Sequence, residues 1–259
     1  MPDNSNLPKK IYFEPSTLES IDMSVLDYVK KLDLFADTNE GWKKVPVIWG
    51  TAERAFQVKN SKELRDQQGM LIMPIITIRR TSLVKDQSSK GAFQGNVPEN
   101  GDEQGGSLVV SRVINQQKTS EFASADAFRI QGSKAYKRDN KKVVYRTVIA
   151  PMPVNVTLTY EITIRTEYQQ QMNNLVLPFV TKPGTINHVS LKNKDHRYEG
   201  FIEGNFNTTD NLQDFSSDER KFETKISLRV VGYLVGQGDN REKPHYAIRE
   251  NFVEVRIPK

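Results

Sequence analysis

Cysteine is absent from this 259-residue chain, which excludes disulfide staples and thiolate metal sites and fits a protein made in a reducing cytoplasm. Histidine is nearly as scarce: His188, His196 and His245 are the only three. Only the first two lie near each other, with Asp195 and Asp210 as the nearest aspartates. A metal site needs ligands converging at about 2.0–2.2 Å in the right number, and this spacing demands none. The histidines read as turn or solvated residues. Long apolar runs are missing as well. The longest, Met70 to Ile76, is far short of the roughly twenty residues that cross a bilayer. The opening MPDNSNLPKKIYFEP has no apolar core of the kind a signal peptide carries, so neither membrane spanning nor secretion is expected. GxSxG, HExxH and a glycine-rich phosphate loop behind a strand are also lacking. The paired carboxylates Asp102-Glu103 and Asp218-Glu219 sit in polar, turn-like segments and read as solvated surface before they read as an acid/base pair. No cofactor is expected, and nothing gives a reason to propose an enzyme.

What is present is pattern. The chain is 37% hydrophobic and 27% charged, an ordinary balance with ample length for a real core. Its formal charge of +5 permits an anionic neighbour without requiring one. In VNVTLTYEITIRT, residues 154–166, Val154, Val156, Leu158, Tyr160, Ile162 and Ile164 share one parity, and polar residues fill the other. That is the period of a strand with one buried face. Thirteen residues at about 3.3 Å each would span about 43 Å, longer than one small core needs. Thr166-Glu167-Tyr168-Gln169 reads as a capping box, so a helix is expected from about Glu167. Its apolar face is Tyr168, Met172, Leu175, Val176 and Phe179, and Pro178 is expected to end it near Leu177.

A second long alternating run, Phe222 to Val235, is expected to pair with the first in one sheet. Ser16 and Glu19 suggest another capping box and a helix over about 17–33 with Ile21, Val25, Tyr28, Val29 and Leu32 on its apolar face. Strand candidates are 43–49, with Pro46 marking an edge or bulge, and 70–80, 186–191 and 197–206. A short helix is expected over 51–56. Residues 85–106 lose all periodicity around five glycines, and the β-rich runs 107–115 and 143–149 suggest a long projecting hairpin. A last strand over 251–257, holding Phe252, Val253, Glu254, Val255, Arg256 and Ile257, could extend an exposed sheet edge, its own or a neighbour's. The densest basic cluster is Lys134, Lys137, Arg138, Lys141 and Lys142. It reads first as a solvated hairpin tip and otherwise as a sequence-independent contact to DNA phosphates or a lumen. The fold class expected is α+β: a mainly antiparallel sheet of long strands with a few flanking helices and a long hairpin or loop insertion. An N-terminal tail (1–15) would precede a single domain (16–259) carrying a polar insertion at about 85–142.

Taken in order, VPVIWGTAERAF (45–56), GMLIMPIITI (69–78), PVNVTLTYEITIRTEYQQQMNNLVLPF (153–179) and DERKFETKISLRVVGYLV (218–235) resemble the tail completion and sheath-stabilising proteins of T-even-type contractile phages. The features that carry the resemblance are Tyr160-Glu161-Ile162, Tyr168, Leu177-Pro178-Phe179, Asp218-Glu219-Arg220 and Gly232-Tyr233. Gln169, Gln170 and Gln171 stand where the family tends to be acidic. The resemblance implies a non-enzymatic tail terminator: a ring, usually a homohexamer, at the head-proximal end of the tail, assembled in the host cytoplasm. Its partners would be the tail tube protein, the tail sheath protein and a neck or connector protein, with DNA passing through the lumen without sequence specificity. The alternatives are another neck, connector or baseplate component and, in a different class, a sequence-independent DNA-binding module.

Overall fold

The two alternating runs lie side by side along their whole length. In the computed structural model, β9 (Val154–Thr166) and β12 (Phe222–Leu234) pair antiparallel from Val154 opposite Leu234 to Thr166 opposite Phe222, with no shift of register. The structure describes residues 9–38, 41–50, 73–86, 97–98, 106–122, 142–181, 188–211, 220–235 and 244–254. Register is fixed because a slip by one residue would turn every apolar side chain of a strand to the wrong face. On one face Val156, Leu158, Tyr160, Ile162 and Ile164 join Phe222, Ile226, Leu228 and Val230 in the core. β5 (Ile75–Lys85) flanks β9, and β11 (His196–Asp210) flanks β12, both antiparallel. β10 (His188–Asn193) and the three-residue β4 (Val47–Trp49) complete a six-stranded sheet in the order β10-β11-β12-β9-β5-β4. The α+β class with mainly antiparallel strands is what the sequence leads one to expect.

Two helices cover the apolar face. α1 (Leu18–Lys31) buries Ile21, Val25 and Val29. Its capping box is formed by Thr17 and Ser20, not by Ser16 and Glu19. Ser16 is buried elsewhere: its Oγ lies 2.7 Å from the Tyr198 hydroxyl and donates to the Tyr233 carbonyl at 2.6 Å. α3 (Gln169–Thr181) also starts later than its sequence suggests. Thr166 is still in β9 and donates to the Tyr168 carbonyl, while Gln171 Oε1 accepts from the Tyr168 N–H. The reciprocal arm of a capping box is therefore present two residues downstream. Nor does Pro178 end the helix, which runs on to Thr181. A proline costs one N–H bond, but the buried Met172, Leu175 and Phe179 hold both sides of it against the sheet, and Tyr168 points out.

The expected strand over 43–49 is divided. β2 (Phe35–Thr38) and β3 (Gly41–Lys44) form a hairpin in which Gly41 takes a φ of 99°, a backbone that glycine adopts without a Cβ penalty. Val45 then turns inward and its N–H donates to the Leu34 carbonyl, and β4 starts only after Pro46. The expected helix over 51–56 lies outside the described residues.

A second sheet has the order β1-β13-β8-β7-β6, from β1 (Lys9–Tyr12), β6 (Val97–Pro98), β7 (Gly106–Ile114), β8 (Lys142–Pro151) and β13 (His245–Glu254). A short helix, α2, covers 116–122. Where one domain over 16–259 is expected, the chain divides into two compact units: Ser16–Gly91 with Val154–Leu234, and Met1–Pro15 with Ala92–Pro153 and Val235–Lys259. The hairpin read as an insertion belongs to a sheet completed by strands from near both ends of the chain. That link spans more than two hundred residues and leaves no local trace in the sequence.

Candidate assembly surface

The sequence-derived candidates do not converge. Lys134, Lys137, Arg138 and Lys141 lie outside the described residues, and Lys142 opens β8 opposite Glu254. Phe252 and Val253 pair with Val144 and Val143. Their strand starts at His245, earlier than expected; β8 pairs with it from Ala247 to Glu254, and on the other side β1 covers only His245 to Ile248. Val255, Arg256 and Ile257 lie outside the described residues. The histidines are dispersed. His188 packs edge-on to Phe201, His245 sits beside Tyr12, and buried His196 stacks on Tyr198 with Nδ1 3.1 Å from the Tyr233 hydroxyl. Among the described residues no three His, Asp or Glu side chains gather as a metal site would require.

One polar cluster runs from the core of the long-sheet unit to its surface. Tyr160 donates to Asp22 Oδ1 at 2.7 Å, and Arg80 reaches both Asp22 oxygens at 3.0 and 3.2 Å. Burial pushes the Asp22 carboxyl above its ordinary range, opposed by the Tyr160 bond and the Arg80 charge. Burial and the bond to Asp22 likewise push the Tyr160 phenol up. This constellation ties α1 to β9 and β5. The sequence did not single it out, because Asp22 is a lone acid on an otherwise apolar helix face and Tyr160 reads as core.

The opposite face of the long sheet is polar and half-buried, and carries a row of ion pairs. Arg79 meets Glu161 at 3.1 Å, and Glu223 accepts from Arg165 at 2.8 Å with Lys225 3.6 Å away. Burial raises the Glu223 pKa, but the bonds and charges of Arg165 and Lys225 outweigh it and hold the carboxyl below its usual range.

The sheet's margins are its least satisfied feature. β4 covers only Ile76 to Ile78 of β5. Beyond it Arg79 to Lys85 are all exposed, and no strand among the described residues lies along their outer side. β10 covers β11 only through Phe201, which leaves 202–210 without an outer strand among the described residues. A bulge interrupts each margin, at Arg80/Ser82 and at Ile202/Phe206, a device that discourages indiscriminate edge pairing. Beside the second margin a cleft of about 370 Å³ opens between α3 and the ends of β11 and β12, lined by Met172, Val176, Leu177, Val180, Thr208 and Phe222 among others. Leu177 and Val180 are 58% and 51% exposed. Exposed backbone edges and apolar rims are general features of surfaces on which other chains can dock.

Neither the protein-family models nor the curated proteins contain a match to this chain.

Proposed function

We propose that this chain is a non-enzymatic virion structural protein, a tail terminator that self-associates into a ring, usually a homohexamer, at the head-proximal end of a contractile phage tail. There it would cap tube and sheath, join them to the neck, and let DNA pass through its lumen. The observation that carries this reading is the pairing of β9 with β12 along all thirteen residues of each. These lie in two of the four segments on which the resemblance to T-even-type tail completion proteins rests, and together they make a long platform whose margins are in part without an outer strand among the described residues. A rigid sheet of that length with open edges suits bridging between subunits.

Two measurements test it. Native mass measurement of the purified chain is expected to give a concentration-dependent closed oligomer, and labelled copies are expected at the head-proximal end of tails by electron microscopy. Monomer at every concentration, or a label at the distal end, would refute it.

A further inference from the structure

Resting on the passage of DNA in that reading, we infer that the polar face of the long sheet meets duplex DNA, with Lys192, Arg197 and Arg229 holding its phosphate backbone without reading its sequence. In β10, β11 and β12 the alternate side chains Val189, Leu191, Tyr198 and Leu228 enter the core. That turns the three cations to the opposite face, where all three are exposed. Other cations of this face are neutralised within the chain: Arg79 pairs with Glu161, and Arg165 and Lys225 share Glu223. Lys192, Arg197 and Arg229 have no carboxylate partner among the described residues.

Two features set them apart from ordinary surface charge. Lys192 stands directly opposite Arg197 in the register of β10 with β11, and like charges so placed destabilise a sheet. Nothing among the described residues offsets that cost, whereas a polyanion would; local rules of this kind are broken mainly at functional sites. Arg229 lies over the Phe201 ring, 5.1 Å from its centroid, which orders the guanidinium before a phosphate arrives. Phe201 is also the register partner of Arg229, and Arg197 lies about 13 Å from it along β11. That length of duplex axis carries about eight phosphate charges. Ser190 and Thr159 stand opposite Glu199 and Arg229, and hydroxyls of this kind bond phosphate oxygens. Glu199, exposed between the two basic groups, opposes the contact.

The test titrates duplex DNA into the purified chain across about 50 to 200 mM salt and takes unfolding curves in parallel. The parent is expected to bind whatever the sequence, with log K falling linearly against log salt. Lys192→Gln, Arg197→Gln and Arg229→Gln should each flatten that slope by about 0.9, and the triple variant should bind about tenfold more weakly or worse at the low-salt end. Glu199→Gln should bind more tightly than the parent. Lys192→Gln should also raise the unfolding midpoint, because it removes the repulsion with Arg197, so its weaker binding cannot be a loss of fold. Binding that ignores the triple variant, or that K134Q/K137Q/R138Q/K141Q abolishes instead, would overturn the inference. Polyglutamate bound as tightly as DNA at equal charge would also overturn it, in favour of an acidic protein partner. A parent chain that never binds duplex overturns the inference and leaves the tail reading standing, since a ring found on tails can pass DNA without touching it. Binding through these residues in a protein that tails do not contain upholds the inference and removes the tail reading.

Discussion

Tyr160 and Asp22 show how a single residue pair can hold a helix to a sheet. Tyr160→Phe keeps the ring and its edge-on contact with Trp49 but loses the hydrogen bond to Asp22, and is expected to cost about 1 kcal/mol in urea unfolding. Asp22→Ala strands both the phenol and Arg80, with an expected loss of about 1–3 kcal/mol. Glu223 sets a pH dependence. Its folded pKa is lowered, so the stability it contributes is present above the unfolded carboxylate value, about 4.3, and is lost as pH falls through the lower folded value. Glu223→Gln should therefore be less stable than the parent at pH 6, by about 1 kcal/mol or less for a partly exposed pair. The difference should vanish toward pH 2–3 in unfolding curves taken across that range.

At the scale of elements, α3 makes the most direct prediction. Pro178 sits inside the helix and withholds an N–H from it, so Pro178→Ala should stabilise the fold by about 1 kcal/mol or more, read as a raised midpoint of thermal or denaturant unfolding. How far the elements could be read from sequence follows the range of the forces that set them. β9 and β12 were legible to within a residue because alternation is local and strong, and so was the apolar face of α1. Helix ends were less legible. The sequence offered Ser16 as the cap of α1, but its tertiary bonds to Tyr198 and Tyr233 take it up, and Thr17 caps the helix instead. The margins of β5 and β11 were not legible at all, because whether a strand has an outer neighbour is decided by segments far away in the chain. The candidate edge at 251–257 falls, in its described part 251–254, on a stretch that pairs with β8, while β1 covers only His245 to Ile248 of the same strand.

For the whole molecule the division into two units predicts how truncation acts. Removing residues from His245 onward takes away the strand that joins β1 to β8, but no part of the unit holding Ser16–Gly91 and Val154–Leu234. The shortened chain is expected to keep the protected amides of β9 and β12 in hydrogen exchange and to lose those of β7 and β8. Uniform loss of protection in both sheets would show that the units fold only together.

Lys9 to Tyr12 pair with Ile248 to His245, and this juxtaposition has a meaning for biosynthesis. Residues 9–12 must wait for residues 245–248, about ten seconds or more at ordinary elongation rates. Contacts of such long sequence separation also form slowly. The pairing of β9 with β12 can thus precede the closure of the β1-β13-β8 sheet, which waits for β13 to be made.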